Sequence, residues 1–252
     1  MSKVPELNLA AAWRLPWRLG GLAAQCWTLR RARAEGPPQS AAALRAVAAQ
    51  VQHTARGLCT AHGLEVTRGG AMPEGPVIMV ANHVSYVDTL VLPSLTPSTC
   101  IAKREVAAWP GVGHVAERLG ILFVNRGDAH SGALVLRRAR RALQAGVTVI
   151  AYPEGTTTAG DRLLPFHRGV FGLARLMNVP VLPVSIEYAD PRIAWVGEAS
   201  FLRHYLTTVG ATRKTSVTVR LGPLLPPAAF GSAHALAQAA RQVIARSLWA
   251  SV

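Results

Sequence analysis

From residue 64 onward, short apolar runs alternate with stretches whose apolar positions recur every three or four residues. Unbroken apolar runs of this length read as buried strands, and the 3.6-residue recurrence reads as helix. Pro76–Ala81 (PVIMVA), Ile121–Val124 (ILFV) and Val147–Tyr152 (VTVIAY) are predicted as buried strands, with Thr99–Ala102 a shorter one. Val181–Tyr188 is a longer strand. Ser216–Leu221 (SVTVRL) alternates apolar and polar residues, as a half-buried strand does. Gly132–Ala145 is predicted as a helix with Arg137, Arg138, Arg140 and Arg141 largely on its outer side. Ala233–Trp249 is a closing helix. Strands alternating with helices predict an α/β fold with a mixed, mostly parallel central sheet flanked by helices.

The chain before residue 64 has another character. Ser40–His62 is Ala-rich, with Leu44, Val47, Val51 and Leu58 near helical spacing and Gly63 as its stop. Gly36-Pro37-Pro38-Gln39 reads as a linker. Before it, residues 7–27 are largely apolar but hold Arg14, Pro16 and Arg18. Each arginine at mid-bilayer costs about 2.5–3.5 kcal/mol on insertion scales, which argues against a spanning helix. A signal peptide would carry its bases ahead of the apolar stretch, and here they lie inside and after it. The expected form is an amphipathic helix in the membrane interface, inserting Trp13, Trp17, Leu19 and Trp27. Residues 1–62 are therefore predicted as a membrane-associating helical hairpin, and residues 63–252 as an α/β domain.

Composition narrows the partners. The chain has 252 residues, a length that suits about one large domain. Half of the residues are apolar and only 16% charged, which excludes a disordered chain. Twenty-seven Lys and Arg against 13 Asp and Glu leave a net charge of +14, which points to an anionic partner. Nucleic acid is disfavoured: no recognition motif is visible and aromatic residues make up only 6%. Cys26, Cys59 and Cys100 are widely spaced with no CxxC, so the cysteines indicate neither a zinc ribbon nor a redox motif. Their sparse, odd number fits a reducing compartment.

The first constellation with chemical content comes directly after the strand at 76–81: Asn82-His83-Val84-Ser85-Tyr86-Val87-Asp88. Five residues apart on one helix, His83 and Asp88 would point about 140° apart. They meet if His83 lies on the loop leaving the strand and Asp88 in the first turn of the next helix. Ser85 with Asp88 three residues on is a capping-box pattern that predicts a helix start at Tyr86. Asp88 would then hold one ring nitrogen of His83 and leave the other free as a general base. Alone, the pair also reads as a helix-start acid beside an ordinary loop histidine.

Three more blocks lie further along the chain. Gly120-Ile121-Leu122-Phe123-Val124-Asn125-Arg126 puts an arginine just past a strand. Tyr152-Pro153-Glu154-Gly155-Thr156 puts a carboxylate at another strand's carboxyl end, where open α/β sheets bind ligands. Val179–Pro183 brings two prolines around a strand start. These four blocks, in this order, resemble those of the glycerolipid acyltransferase family, whose type member is 1-acylglycerol-3-phosphate acyltransferase. The match spans about residues 76–188.

The resemblance implies transfer of a fatty acyl group from an acyl thioester to a lysophospholipid hydroxyl. The expected acceptor is 1-acylglycerol-3-phosphate, giving phosphatidic acid; the alternative is a different lysolipid such as lyso-ornithine lipid. It implies His83 as base and Asp88 as its orienting partner. Lys103, Arg126, Glu154, Gly155, Thr156 and Arg168 are implied to bind substrate. His167 is read as structural. No metal or resident cofactor is implied; acyl-CoA or an acyl-carrier protein is the co-substrate. Apolar residues after Asp88, such as Leu90, Val91 and Leu92, or the hairpin, are expected to line an acyl groove. Amides near Val181 or Ser185 are the candidates for holding the oxyanion. The implied site is the cytoplasmic face of a bacterial inner membrane, and the implied surface partner is anionic lipid. One departure stands out: the family's third block usually continues with Arg, and here that position is Thr157. Either Lys103, Arg126 and Arg168 hold a phosphate between them, or the headgroup is not a simple phosphate monoester.

Overall fold

The structure, a computed structural model, describes residues 40–249 apart from 109–112, 114–115, 118–119, 126 and 198–199. The strands are β1 (Leu64–Gly69), β2 (Ile78–Ala81), β3 (Ser98–Lys103), β4 (Leu122–Val124), β5 (Thr148–Ala151), β6 (Val181–Tyr188) and β7 (Thr215–Leu221). They form one sheet in the order β1-β7-β6-β2-β5-β3-β4. From β6 to β4 all neighbours are parallel; β7 is antiparallel to β6, and β1 is parallel to β7. Every residue of β2 and β5 is buried. That is why both read as unbroken apolar runs: helices cover both faces of a parallel sheet. Ile78 and Val80 enter one core, Met79 and Ala81 the other.

The helices are α1 (Ala41–Ala61), α2 (Asp88–Leu95), α3 (Ala129–Gln144), α4 (Gly169–Met177), α5 (Phe201–His204) and α6 (Ala233–Trp249). α3, α4 and α6 cover one face, contributing Val135, Phe171 and Leu236. α2 and the turn Tyr205–Val209 cover the other with Val91 and Tyr205. α1 reaches both cores, giving Ala48 to the first and Cys59 to the second.

The predicted strands and helices within the described residues are all present. The amphipathic segment with Trp13, Trp17, Leu19 and Trp27 lies outside them. α1 starts as predicted, with the Ser40 hydroxyl accepting from the Ala43 amide at 3.1 Å. α3 starts three residues before Gly132 because the Asp128 carboxylate caps the His130 and Ser131 amides. Three elements escaped prediction, the four-residue α5 among them. β1 is an edge strand whose Glu65 and Arg68 lower its apolar count. α4 (GVFGLARLM) is apolar nearly all round, and a short apolar run does not tell helix from strand.

The chain leaves α1 through Gly63, at φ +68°, into β1. A Cβ there would sit 2.3 Å from the Arg213 carbonyl oxygen. Gly63→Ala is therefore expected to destabilise the fold by about 1–3 kcal/mol, from left-handed strain and the clash together. Urea unfolding of the variant beside the parent measures this.

Candidate active site

Parallel strands end on the same edge, so the strand order β2-β5-β3-β4 also orders the residues at their carboxyl ends. His83 leaves β2, Glu154 leaves β5, Lys103 ends β3 and Asn125 leaves β4. Arg126, next in the chain, lies outside the described residues. Residues scattered over 83–154 thus share one edge because of strand order.

His83 Nδ1 lies 2.8 Å from Asp88 Oδ2. Asp88 is fully buried. Its Oδ2 also accepts the Val84 amide at 2.8 Å and the Ser85 amide at 3.0 Å. Its Oδ1 accepts the Tyr188 hydroxyl at 2.6 Å. Four donors converge on a group that, ionised, only accepts. With Nδ1 donating to Asp88, the tautomer assigned from this network leaves the lone pair on Nε2. Nε2 has no hydrogen-bond partner among the described residues, and the side chain is 16% exposed. This is the geometry of a general base held by an orienting acid.

The helix start differs from the capping-box expectation. α2 begins at Asp88, two residues after Tyr86, and its N-cap Val87 makes no side-chain bond. Asp88 does reach the Ser85 amide, but the Ser85 hydroxyl is buried without a partner. The carboxylate gathers the loop around His83, which leaves only half of a box.

Glu154 is buried, and both its oxygens are engaged. Oε1 accepts the His83 amide at 2.8 Å and Oε2 the Leu164 amide at 2.9 Å. Burial pushes its pKa up, while the Leu164 and His83 amides pull the other way. Its direct contacts make it a support for the base's backbone, where the sequence suggested contact with the acceptor. Tyr152 stacks on His83, ring centroids 4.3 Å apart and planes 21° apart. Its hydroxyl is buried without a partner, and burial holds its pKa well above the usual phenol value. Asn82 bridges β2 to β6: its amide donates to the Ile186 carbonyl at 2.9 Å and its oxygen accepts the Ile186 amide at 2.8 Å.

A second set of bonds ties neighbouring loops to the His83 loop. The Thr158 amide donates to the His83 carbonyl at 2.8 Å, and the Trp195 amide to the Val84 carbonyl at 2.9 Å. The Thr157 hydroxyl donates to the Trp195 carbonyl. Where an arginine was expected, a short hydroxyl fastens the 191–197 segment over the His83 loop.

The remaining expected residues fall into place unevenly. Gly155 has φ +77°, and a Cβ there would meet the His167 ring at 2.9 Å. The His167 backbone amide donates to the Pro153 carbonyl at 2.8 Å, tying its loop to the same turn. Thr156 and Arg168 are exposed. Lys103 is not a free cation: its Nζ pairs with Glu105 at 2.8 Å. Val91 and Leu92 are fully buried in the core, so they line no groove; Leu90 is half-buried. The Val181 amide is spent on the Leu225 carbonyl and the Ile186 amide on Asn82, which removes that end of β6 and that neighbour of Ser185 as oxyanion donors. Tyr188 was missed in the sequence. Its one signal is position, at the carboxyl end of the strand beside β2.

Two cavities adjoin this edge. An open cleft of about 730 Å³ is lined by Arg104, Ile121, Phe123, Asn125 and Arg138 among others. A smaller one of about 210 Å³ is lined by residues including Val84, Gly160, Tyr188, Asp190 and Trp249. His83 lines neither. Among the described residues there is no cluster of three His, Cys, Asp or Glu able to hold a metal, and no helix long and apolar enough to cross a membrane.

The family model described as Acyltransferase matches residues 59–187. The chain is 36% identical over 197 residues to the lyso-ornithine lipid O-acyltransferase of Pseudomonas aeruginosa, covering 76% of this chain and 75% of that protein. It is 37% identical over 130 residues to a 1-acyl-sn-glycerol-3-phosphate acyltransferase of Neisseria gonorrhoeae, covering 51% and 50%. In fold it is similar to the 1-acyl-sn-glycerophosphate (LPA) acyltransferase PlsC from Thermotoga maritima, with a TM-score of 0.68, 22% identity, and 96% and 94% of the two chains covered.

The two tyrosines around the dyad give opposite expectations. Tyr152→Phe keeps the ring on His83 and removes an unsatisfied hydroxyl, so stability should hold or rise by about 1 kcal/mol. Tyr188→Phe leaves Asp88 Oδ1 buried without its donor, and should cost about 1–3 kcal/mol. Thermal unfolding of the two variants, with the same atom removed from each, tests the contrast.

Proposed function

The chain belongs to the acyltransferase family, and from that premise we propose that it transfers a fatty acyl group from an acyl thioester to the hydroxyl of a lysophospholipid. The observation that carries this reading is the His83–Asp88 pair, its Nε2 unengaged at the carboxyl edge of the sheet. The acceptor hydroxyl gives its proton to Nε2 as its oxygen attacks the thioester carbon. A C–O bond forms, a tetrahedral oxyanion results, and its collapse breaks the C–S bond. The departing thiolate takes the proton from the imidazolium. Asp88 stabilises that cation and fixes the ring; Tyr188 and the two loop amides keep Asp88 in place. Base catalysis of this kind contributes about 10²–10⁴-fold.

The acceptor is 1-acylglycerol-3-phosphate, giving phosphatidic acid, or a lysolipid without a phosphate monoester. Three observations favour the second. Thr157 fastens a loop where an anion-binding arginine was expected, and Lys103 is already paired. The Pseudomonas relative named for lyso-ornithine lipid is matched over a larger share of this chain than the Neisseria one. No resident cofactor takes part; the thioester donor is a co-substrate, either acyl-CoA or an acyl-carrier protein. Since the acceptor is itself a membrane lipid, the enzyme works at a membrane surface, in this reading the cytoplasmic face of the bacterial inner membrane, held there by residues 1–62.

The test is thiol release from a long-chain acyl thioester with a panel of acceptors, lysophosphatidic acid and lyso-ornithine lipid among them. Turnover is expected with at least one acceptor and should fall about 10²–10⁴-fold in His83→Ala. Silence across the panel sinks the reading. Undiminished turnover in His83→Ala removes His83 from the base role.

A further inference from the structure

Asp88 holds the base at one atom, and one hydrogen bond does not fix a ring. The His83 imidazole is pinned at Cβ by the chain and at Nδ1 by Asp88. It is still free to tip about the line through those two points. That motion displaces Nε2, the atom whose lone pair takes the proton. A general base must sit within hydrogen-bond reach of the proton it removes, so the plane of the ring needs a second hold.

The turn after β5 supplies it. Tyr152 lies face to face with the His83 ring, centroids 4.3 Å apart and planes 21° from parallel. A ring this close blocks tipping toward it and favours the stacked arrangement over others. Tyr152 is itself held at both ends. The Gly155 amide donates to its carbonyl at 3.1 Å, and its hydroxyl is enclosed in the interior, with no partner among the described residues. Two residues on, Glu154 accepts the His83 backbone amide at 2.8 Å. One turn therefore touches His83 twice, on the ring and on the backbone, while Asp88 makes the third contact from the start of α2.

The stack also meets the charge that the reaction creates. When Nε2 takes the proton, the ring becomes an imidazolium. The face of a phenol ring carries negative potential and attracts a cation within about 6 Å of its centroid. Tyr152 thus offers the cation a neutral partner beside the Asp88 carboxylate. The phenols near the pair do not compete for the proton: burial holds the Tyr152 and Tyr188 hydroxyls well above their usual range, so both stay neutral. The remaining titratable groups that face His83 are Asp88, from α2, and Glu154, whose carboxyl burial pushes up.

We propose that Tyr152 is a positioning residue for the acyl transfer: its ring face fixes the plane of His83, aims Nε2 at the acceptor hydroxyl and stabilises the imidazolium that forms. This rests on the acyl-transfer reading and adds a residue to its machinery. A tyrosine kept only to fill the interior would leave rate and pH dependence alone when replaced by another apolar side chain.

The experiment compares the full-length parent with Tyr152→Leu and Tyr152→Phe. Leucine keeps apolar bulk and loses the aromatic face; phenylalanine keeps the face. The first readout is thiol release against pH, with the acceptor that gives the highest turnover. In Tyr152→Leu, kcat should fall about tenfold or more, with both KM values within about twofold of the parent, because alignment and charge are lost in the transition state. The limb on which kcat rises with pH should move down by about half a pH unit, since an imidazolium without its stack releases its proton more readily. Tyr152→Phe should restore both. The second readout is the NMR signal of the His83 ring carbon Cε1, assigned by its absence in His83→Ala and followed through a pH titration. Its midpoint should move by the same amount in Tyr152→Leu and stay in place in Tyr152→Phe. This signal reports the ring directly, so a titration of Glu154 in the rate profile is not mistaken for it. The unfolding midpoint checks that Tyr152→Leu is folded. If it misfolds, trifluorophenylalanine in place of Tyr152 keeps the shape with a weakened face, and the same downward shift is expected relative to Tyr152→Phe. Parent-like kcat and an unmoved ring titration in Tyr152→Leu overturn the proposal. So does Tyr152→Phe as impaired as Tyr152→Leu, which would put the effect on the hydroxyl. A moved ring titration in a chain that releases no thiol with any acceptor would leave the stack's role intact and sink the acyltransferase reading instead.

Discussion

A carboxylate taken fully out of water costs several kcal/mol unless donors surround it. Asp88 meets this demand with four, and where they come from organises the site. Two are amides of its own loop, so the chain between β2 and α2 must wrap the carboxylate closely. One is the His83 ring, which is thereby fixed in tautomer and direction. The fourth is the Tyr188 hydroxyl, which brings the end of β6 to the same point. Glu154 repeats the device from β5, clasping the His83 amide on one oxygen and Leu164 on the other. Two buried acids, one opening α2 and one just past β5, therefore hold His83 from its side chain and from its backbone.

This use of acids bears on the charge of the whole chain. Only 13 acidic residues are present, and the two most buried of them are satisfied by amides, a phenol and an imidazole, with no arginine involved. Among the described residues no Lys or Arg pairs with either acid. Arg137, Arg138 and Arg140 stay at the surface on the outer side of α3. Buried acids satisfied by neutral donors and exposed arginines on α3 are two sides of one arrangement.

Much of this was legible in the sequence. The buried strands announced themselves because both faces of β2 and β5 are covered, which forces unbroken apolar runs. The His83–Asp88 pairing came from helical geometry, since five residues of separation work only across a loop-to-helix junction. The identity of each hydrogen bond was not legible. Glu154 stands at the right edge by its position after β5, but nothing in Pro-Glu-Gly says that its oxygens meet the His83 and Leu164 amides. The Lys103–Glu105 pair was not legible either, because Glu105, two residues on, lies past the strand end, where alternation no longer predicts which way a side chain turns. Tyr188 was silent for a different reason. A tyrosine closing a strand is ordinary core filling until the neighbouring strand is known, and strand order is a property of the sheet.

Thr157 carries a consequence for how such a site changes over time. Its hydroxyl joins the 191–197 segment to the loop of the base, through Trp195, which in turn holds Val84. An arginine at this position would bring a charge and undo a fastening in the same mutation. Side-chain charge and loop order are therefore linked at this residue. A substitution that brings arginine to position 157 needs a second change to re-anchor Trp195, because the bond that the hydroxyl makes to its carbonyl is lost in the same step.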